Sequence, residues 1–259
     1  MLEVRNVVVR FGGVTAVGGV SFAVGAGQIC GLIGPNGAGK TTLFNVISGI
    51  YQPNEGDVRF AGQAITGLPR HRMAPLGIGR TFQNLALFRS MTVRENIMAG
   101  AHSAGRSGFL ANALRFPTAR TEEAAAARRT HDLLALLSLT PFADAKVAAL
   151  PFGTQKRVEM ARALISRPKL LLLDEPAGGL NHGEVDELAE LFRQVRASFD
   201  LSILLVEHHM SLVMRVSDKV VALDFGKKIA DGTPAEVRAE PEVIRAYLGE
   251  EAVPHGRAA

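Results

Sequence analysis

The segment Gly34-Pro35-Asn36-Gly37-Ala38-Gly39-Lys40-Thr41-Thr42 follows an apolar run, Ile29-Cys30-Gly31-Leu32-Ile33, and precedes the helical pattern Leu43-Phe44-Asn45-Val46-Ile47. A strand, a glycine-rich loop and a helix in that order leave the chain few architectures other than an α/β sheet with a ligand at one strand end. The glycines let successive backbone N–H groups curl around an anionic oxygen, and the helix N-terminus adds the positive end of its dipole. Lys40 reaches β- and γ-phosphates and Thr41 can hold Mg²⁺, so the segment predicts nucleoside triphosphate binding.

With 259 residues, 47% of them hydrophobic, the chain can bury a large core. No apolar stretch approaches the ~20 residues that a membrane span needs, and Met1-Leu2-Glu3-Val4-Arg5 lacks the pattern of a signal peptide, so a soluble cytoplasmic protein is expected. A formal net charge of +4 is too small to announce a nucleic-acid groove, and no nucleic-acid partner is expected. The single cysteine, Cys30, sits in the apolar run and reads as a small buried hydrophobe.

Residues 1 to about 25 alternate apolar and polar, broken by Gly12-Gly13 and Gly18-Gly19, which predicts a small antiparallel sheet; Gly56–Gly62 adds a short strand. From about residue 84 to Leu150 the pattern turns helical: Leu87–His102, Leu110–Leu114 and Thr121–Leu139 are read as helices, with Pro117 and Pro141 as breakers. Leu170–Leu173, Ser202–Val206 and Val220–Leu223 are unbroken apolar runs, as in parallel strands covered on both faces. Asp224-Phe225-Gly226 is read as a turn, and residues 251–259 as a flexible tail.

Asp174 and Glu175 end the Leu170–Leu173 run, and alternation along a strand would turn them opposite ways. Asp174 then serves Mg²⁺ or its water, and Glu175 the water attacking the γ-phosphate. His208 follows the next buried run and can contact the γ-phosphate; no Cys/His cluster at ligand spacing accompanies His208-His209, so zinc is not expected. Gln83 can touch the metal or the attacking water.

Taken together, these elements resemble the ATP-binding subunit of ABC transporters over nearly the whole chain. The resemblance implies a P-loop NTPase core of ABC type, with an N-terminal antiparallel β subdomain and an inserted α-helical subdomain at 84–150, all within one nucleotide-binding domain over 1–250. It makes Gly34 to Thr42 the Walker A motif, Gln83 the Q-loop glutamine, Asp174 the Walker B aspartate, Glu175 the catalytic base, Ala177 to Asn181 the D-loop and His208 the switch histidine. Phe11 matches the aromatic residue that stacks on adenine, and a residue of the first sheet's core is the alternative.

The signature that faces a partner's ATP falls at Leu150-Pro151-Phe152-Gly153-Thr154-Gln155 and departs from the usual Leu-Ser-Gly-Gly-Gln. Pro151 replaces the serine, Phe152 a glycine, and Thr154 stands at the glutamine, while Gly153 and the helix N-terminus remain; Gly153, Thr154 and Gln155 are the residues the resemblance turns toward the partner's ATP. Gly77–Asn84, Val206–Met210 and Gly232–Gly249 look like the longer ATPase subunit of branched-chain amino-acid importers; urea, lipid or polysaccharide systems and soluble ABC ATPases are the alternatives. The implied substrates and partners are ATP with Mg²⁺, a second ATPase subunit in a head-to-tail dimer, the altered signature pointing to a heterodimer, two transmembrane permease subunits and, indirectly, a substrate-binding protein. The implied location is the cytoplasmic face of the inner or plasma membrane.

Overall fold

The computed structural model describes residues 1–81, 85–101 and 117–248, so Gln83, the Leu110–Leu114 segment and the 251–259 tail lie outside the described residues. The chain divides into two compact units, one built from residues 1–70 and 202–259, the other from residues 71–201.

The first unit holds two sheets. β1 (Leu2–Phe11) and β2 (Val14–Val24) form an antiparallel hairpin paired from Leu2↔Val24 to Phe11↔Val14 with three register shifts between, and β4 (Glu55–Phe60) pairs with the other edge of β1. A two-residue β5 (Gln63–Ala64) completes the order β2-β1-β4-β5. This is the antiparallel sheet that the alternating pattern predicts. The second sheet places β3 (Ile29–Ile33) between two parallel neighbours, β8 (Ser202–Val206) and β9 (Lys219–Asp224), and β10 (Lys227–Gly232) runs antiparallel to β9. Every residue of β3 and β8 is buried, which is why both read as continuous apolar runs rather than alternating ones. Helix α1 (Lys40–Ile47) packs against β1, β2 and β8 through Leu43, Phe44, Val46 and Ile47.

Phe225 and Gly226 turn β9 into β10 with φ of +40° and +77°, the left-handed pair of a tight hairpin, so Asp224-Phe225-Gly226 is a turn as expected. The β10 strand itself was not read from the sequence. Its residues are at most half-buried and lack an apolar run.

In the second unit, β6 (Ile78–Arg80) pairs in parallel with β7 (Leu170–Asp174). Helix α3 (Val93–Ala101), which follows the short α2 (Met73–Leu76), packs against α5 (Phe152–Leu164) and α4 (Pro117–Leu136), and α5 also covers β6. Helix α6 (His182–Phe199) starts with a capping box: Asn181 accepts from the Glu184 N–H, and the Glu184 carboxylate accepts from the Asn181 N–H.

Three helix boundaries differ from the sequence reading. The expected Leu87–His102 helix begins only at Val93, because Thr92 and Glu95 exchange capping bonds at that point. The preceding loop is held by the fully buried Asn96, whose amide bonds both the N–H and the C=O of Phe88 and the C=O of Thr92. Pro117 opens α4 instead of breaking it, since a first-turn proline sacrifices no helical bond. The far end stops at Leu136 rather than Leu139, where Ser138 adopts φ +55° and the Leu139 N–H returns to the Leu134 C=O.

Candidate functional site

Between β3 and α1 the chain makes a cradle. Gly34, Gly37 and Gly39 have φ of +149°, +82° and +94°, and Gly39 forms the N-terminal boundary of α1. Helix α1 has no side-chain cap and no acidic residue in its first turn, so its leading N–H groups and positive dipole end suit an anion. Lys40 is buried, and its Nζ donates to the carbonyl oxygens of Gly34 at 2.6 Å and Pro35 at 2.8 Å. Thr41 is exposed at the same helix start.

The cradle is supported from both ends of the unit. The Gly226 N–H donates to Ala38 O at 3.1 Å, and Gly226 O accepts the Gly18 N–H at 2.8 Å. Gly34 admits no side chain, because a Cβ there would meet the Leu223 carbonyl oxygen at 2.2 Å. Its N–H lies past the last paired residue of β3 and is taken by the Tyr247 hydroxyl at 2.7 Å. Tyr247 comes from α9 (Pro241–Leu248), which follows α8 (Pro234–Ala239); neither the strand ladder nor the loop pattern pointed to it.

The register Leu32↔Val206 carries Gly34 and His208 equally far past the C-terminal edge of their parallel strands. His208 is half exposed there, ahead of α7 (Met210–Val216). The neighbouring Glu207 is fully buried; one carboxylate oxygen accepts the backbone N–H groups of His208 and His209 and lies 3.2 Å from His209 Nδ1. These three side chains bring one ligand atom each within 4.8 Å of one another, and the carboxylate is committed to closing the turn. Phe11, at the tip of the first hairpin, is 48% exposed and meets Tyr51 edge-on at 5.4 Å between ring centroids. An exposed ring fits a stacking surface better than a core position, the alternative left open by the sequence.

In the second unit β7 ends at the buried Asp174, and Glu175 leaves the strand with φ +46°. The two carboxylates are therefore distinguished by a left-handed turn, not by strand alternation as the sequence suggested. Such backbone strain in a non-glycine residue concentrates at functional sites. Asp174 pairs with Arg80 at 3.2 Å. Burial raises the Asp174 pKa, Arg80 pulls it back down, and Glu175 adds to the rise.

The signature segment starts α5 at Phe152, with Pro151 in the cap position in extended conformation and no side-chain cap bond. Proline therefore does not prevent the helix from starting. Gln155 turns back, its amide donating to Leu150 O at 2.8 Å, while Gly153 and Thr154 are partly exposed. Phe152 is accommodated by Gly179: a Cβ on that residue, at φ +80°, would sit 3.1 Å from the phenylalanine ring. Lys156 Nζ lies 5.4 Å from the centroid of the same ring.

The structure thus gathers Phe11, the Gly34–Thr42 cradle and His208 in one unit, and Asp174, Glu175 and Gly153–Gln155 in the other. Cys30 is fully buried, as the apolar run around it implies, and its thiol is pushed up to about 12 by desolvation.

A phosphate cradle on a parallel sheet, with a carboxylate pair ending a second strand, defines a P-loop nucleotide-binding protein. Residues 17–178 match the ABC transporter family model, and residues 227–253 match the model of the branched-chain amino acid ATP-binding cassette transporter. The chain belongs to the ABC transporter family. It is 45% identical to the high-affinity branched-chain amino acid transport ATP-binding protein BraF of Pseudomonas aeruginosa, over 96% of this chain and 98% of that protein. It is 42% identical to LivG of Escherichia coli, a protein described in the same terms, with the same coverage. Among solved structures, the ADP conformation of an ATP-binding cassette of an ABC transporter superposes with a TM-score of 0.84 at 32% identity, over 96% of this chain and 99% of that one.

Proposed function

We propose that this chain is the ATP-binding and ATP-hydrolysing subunit that energises an ABC importer of branched-chain amino acids. The observation that carries the reading is the phosphate cradle with Lys40 buried in it, in a chain that matches BraF and LivG along nearly its full length. In this reading residues Gly34, Pro35, Asn36, Gly37, Ala38, Gly39, Lys40, Thr41 and Thr42 hold the phosphates and Phe11 stacks on the adenine. Glu175 orients and deprotonates the attacking water, and His208 and Gln83 contact the γ-phosphate and its surroundings. Phosphoryl transfer is mainly positioning and charge stabilisation, which is what preformed N–H donors and a buried ammonium provide.

The hydroxyl of Thr41 and the carboxylate of Asp174 are hard oxygen donors of the type Mg²⁺ takes, and Gln83 adds a third. When bound with ATP, the ion would neutralise charge on the phosphate oxygens. The residues Gly153, Thr154 and Gln155 face the nucleotide of a second ATPase subunit, an unlike chain with which this one forms a head-to-tail dimer. Helices α3 and α4 belong to the subdomain that receives two membrane-spanning permease subunits, which keep the protein on the cytoplasmic face. Among the described residues, no helix is long and apolar enough to cross a membrane.

The test is reconstitution of this chain with the permease and ATPase subunits encoded beside it. Substrate-binding protein loaded with leucine, isoleucine or valine should stimulate ATP hydrolysis, and stimulation by urea or a short amide instead would reassign the substrate.

A further inference from the structure

Gly34 is gripped on both sides of its backbone. Its carbonyl oxygen accepts from Lys40 Nζ, and its N–H donates to the Tyr247 hydroxyl. The two bonds differ in permanence. Lys40 must redirect its ammonium toward phosphate oxygens when nucleotide enters, giving up at least part of its hold on the Gly34 and Pro35 carbonyls. The Tyr247 bond can persist through that change.

A buried N–H beyond the end of a strand ladder needs a partner, and here a side chain from the C-terminal helix supplies it. Glycine at this position is required by the Leu223 carbonyl, and glycine is also the residue with most backbone freedom to lose. An unanchored loop would therefore sample conformers that cannot cradle phosphate, and binding would have to reorder it.

We propose that Tyr247 is a positioning residue for the nucleotide site: its hydroxyl fixes the first peptide of the phosphate loop, so that the C-terminal helix sets nucleotide affinity. The inference rests on the reading of Gly34–Thr42 as the nucleotide cradle. Burial raises the phenol above its usual pKa while the Gly34 N–H lowers it, so the group accepts this bond as a neutral hydroxyl. Tyr247 also lies inside the 227–253 segment matched by the branched-chain amino acid transporter model, separate in sequence from the loop it holds.

The experiment compares wild type, Tyr247→Phe and Lys40→Ala in the full chain, with Mg²⁺ and ADP as the probe. Tyr247→Phe keeps the ring and removes one hydrogen bond, whose net worth corresponds to about fivefold in an equilibrium constant. ADP affinity should fall by about that factor, and the Gly34 amide should exchange faster with solvent in the nucleotide-free chain. In the reconstituted transporter KM for ATP should rise more than kcat falls. Wild-type ADP affinity in Tyr247→Phe overturns the proposal, and so does faster Gly34 exchange with unchanged affinity, which would mean that the bond merely seats the helix. If Lys40→Ala also binds ADP as wild type does, the cradle reading itself fails.

Discussion

Lys40 Nζ sits 2.6 Å from the carbonyl oxygen of Gly34, so the lysine is held by the same loop that carries it. The ammonium is thereby kept buried inside the loop, within a side-chain rotation of the helix N-terminus.

Replacing Lys40 by Ala removes that buried charge. A hydrogen bond to a charged group contributes roughly 1.5–3 kcal/mol, so ATP affinity should fall at least about tenfold. Equilibrium binding and ATPase assays of the assembled transporter check this, and full activity with unchanged affinity would remove Lys40 from the site.

The Glu175→Gln change preserves shape while removing the basic carboxylate. Hydrolysis should slow by at least ~10²-fold, the usual scale for loss of a general base. ATP should then trap the dimer with the second ATPase subunit, visible as an earlier peak in size-exclusion chromatography. A variant that turns over at the wild-type rate rules Glu175 out as the base.

Arg80→Met tests the ion pair with Asp174. Burial and Glu175 both raise the Asp174 pKa and Arg80 opposes them, so losing the guanidinium must raise it further. In the proposed mechanism the ionised carboxylate is the active form. A higher pKa leaves less of it at any given acidic pH, so the acid limb of the kcat/KM profile should move to higher pH. The sign for stability follows the same linkage: a folded pKa above the unfolded one means that folding gains stability as pH falls, and this gain should be larger in the variant. An acid limb that stays in place would show that Arg80 does not govern Asp174.

Gly179→Ala introduces a methyl group 3.1 Å from the Phe152 ring at a backbone φ of +80°. Left-handed conformation alone costs an alanine about 1–2 kcal/mol, and the contact adds to it. Adding Phe152→Ala should recover the contact part and leave the backbone part, which chemical denaturation of the single and double variants can separate. Strict additivity of the two changes would show that the ring and the glycine are independent.

What was legible in the sequence was local. The phosphate loop announces itself through Gly37, Gly39 and Lys40, and the buried strands through unbroken runs such as Leu170–Leu173, because each depends on neighbours in sequence. The features that escaped depend on partners far along the chain. Asn96 reads as an ordinary helical polar residue until its amide is seen holding the Phe88 backbone, and Tyr247 looks like part of an amphipathic helix until its hydroxyl meets Gly34. The left-handed turn at Glu175 had no glycine to advertise it. Arg80 sits in a strand too short to show a pattern, and its ion pair joins β6 to the end of β7.

The bonds from Gly18 to Gly226 and from Gly226 to Ala38 tie the Gly34–Thr42 loop to a hairpin far along the chain from it. A nascent chain that has not yet delivered residue 226 carries the whole Gly34–Thr42 motif without its support, and such distant closures form late in folding. A chain cut before the hairpin should therefore retain a fluorescent ATP analogue less well than the whole sequence does, and should lose the stabilisation that a bound nucleotide lends to the fold.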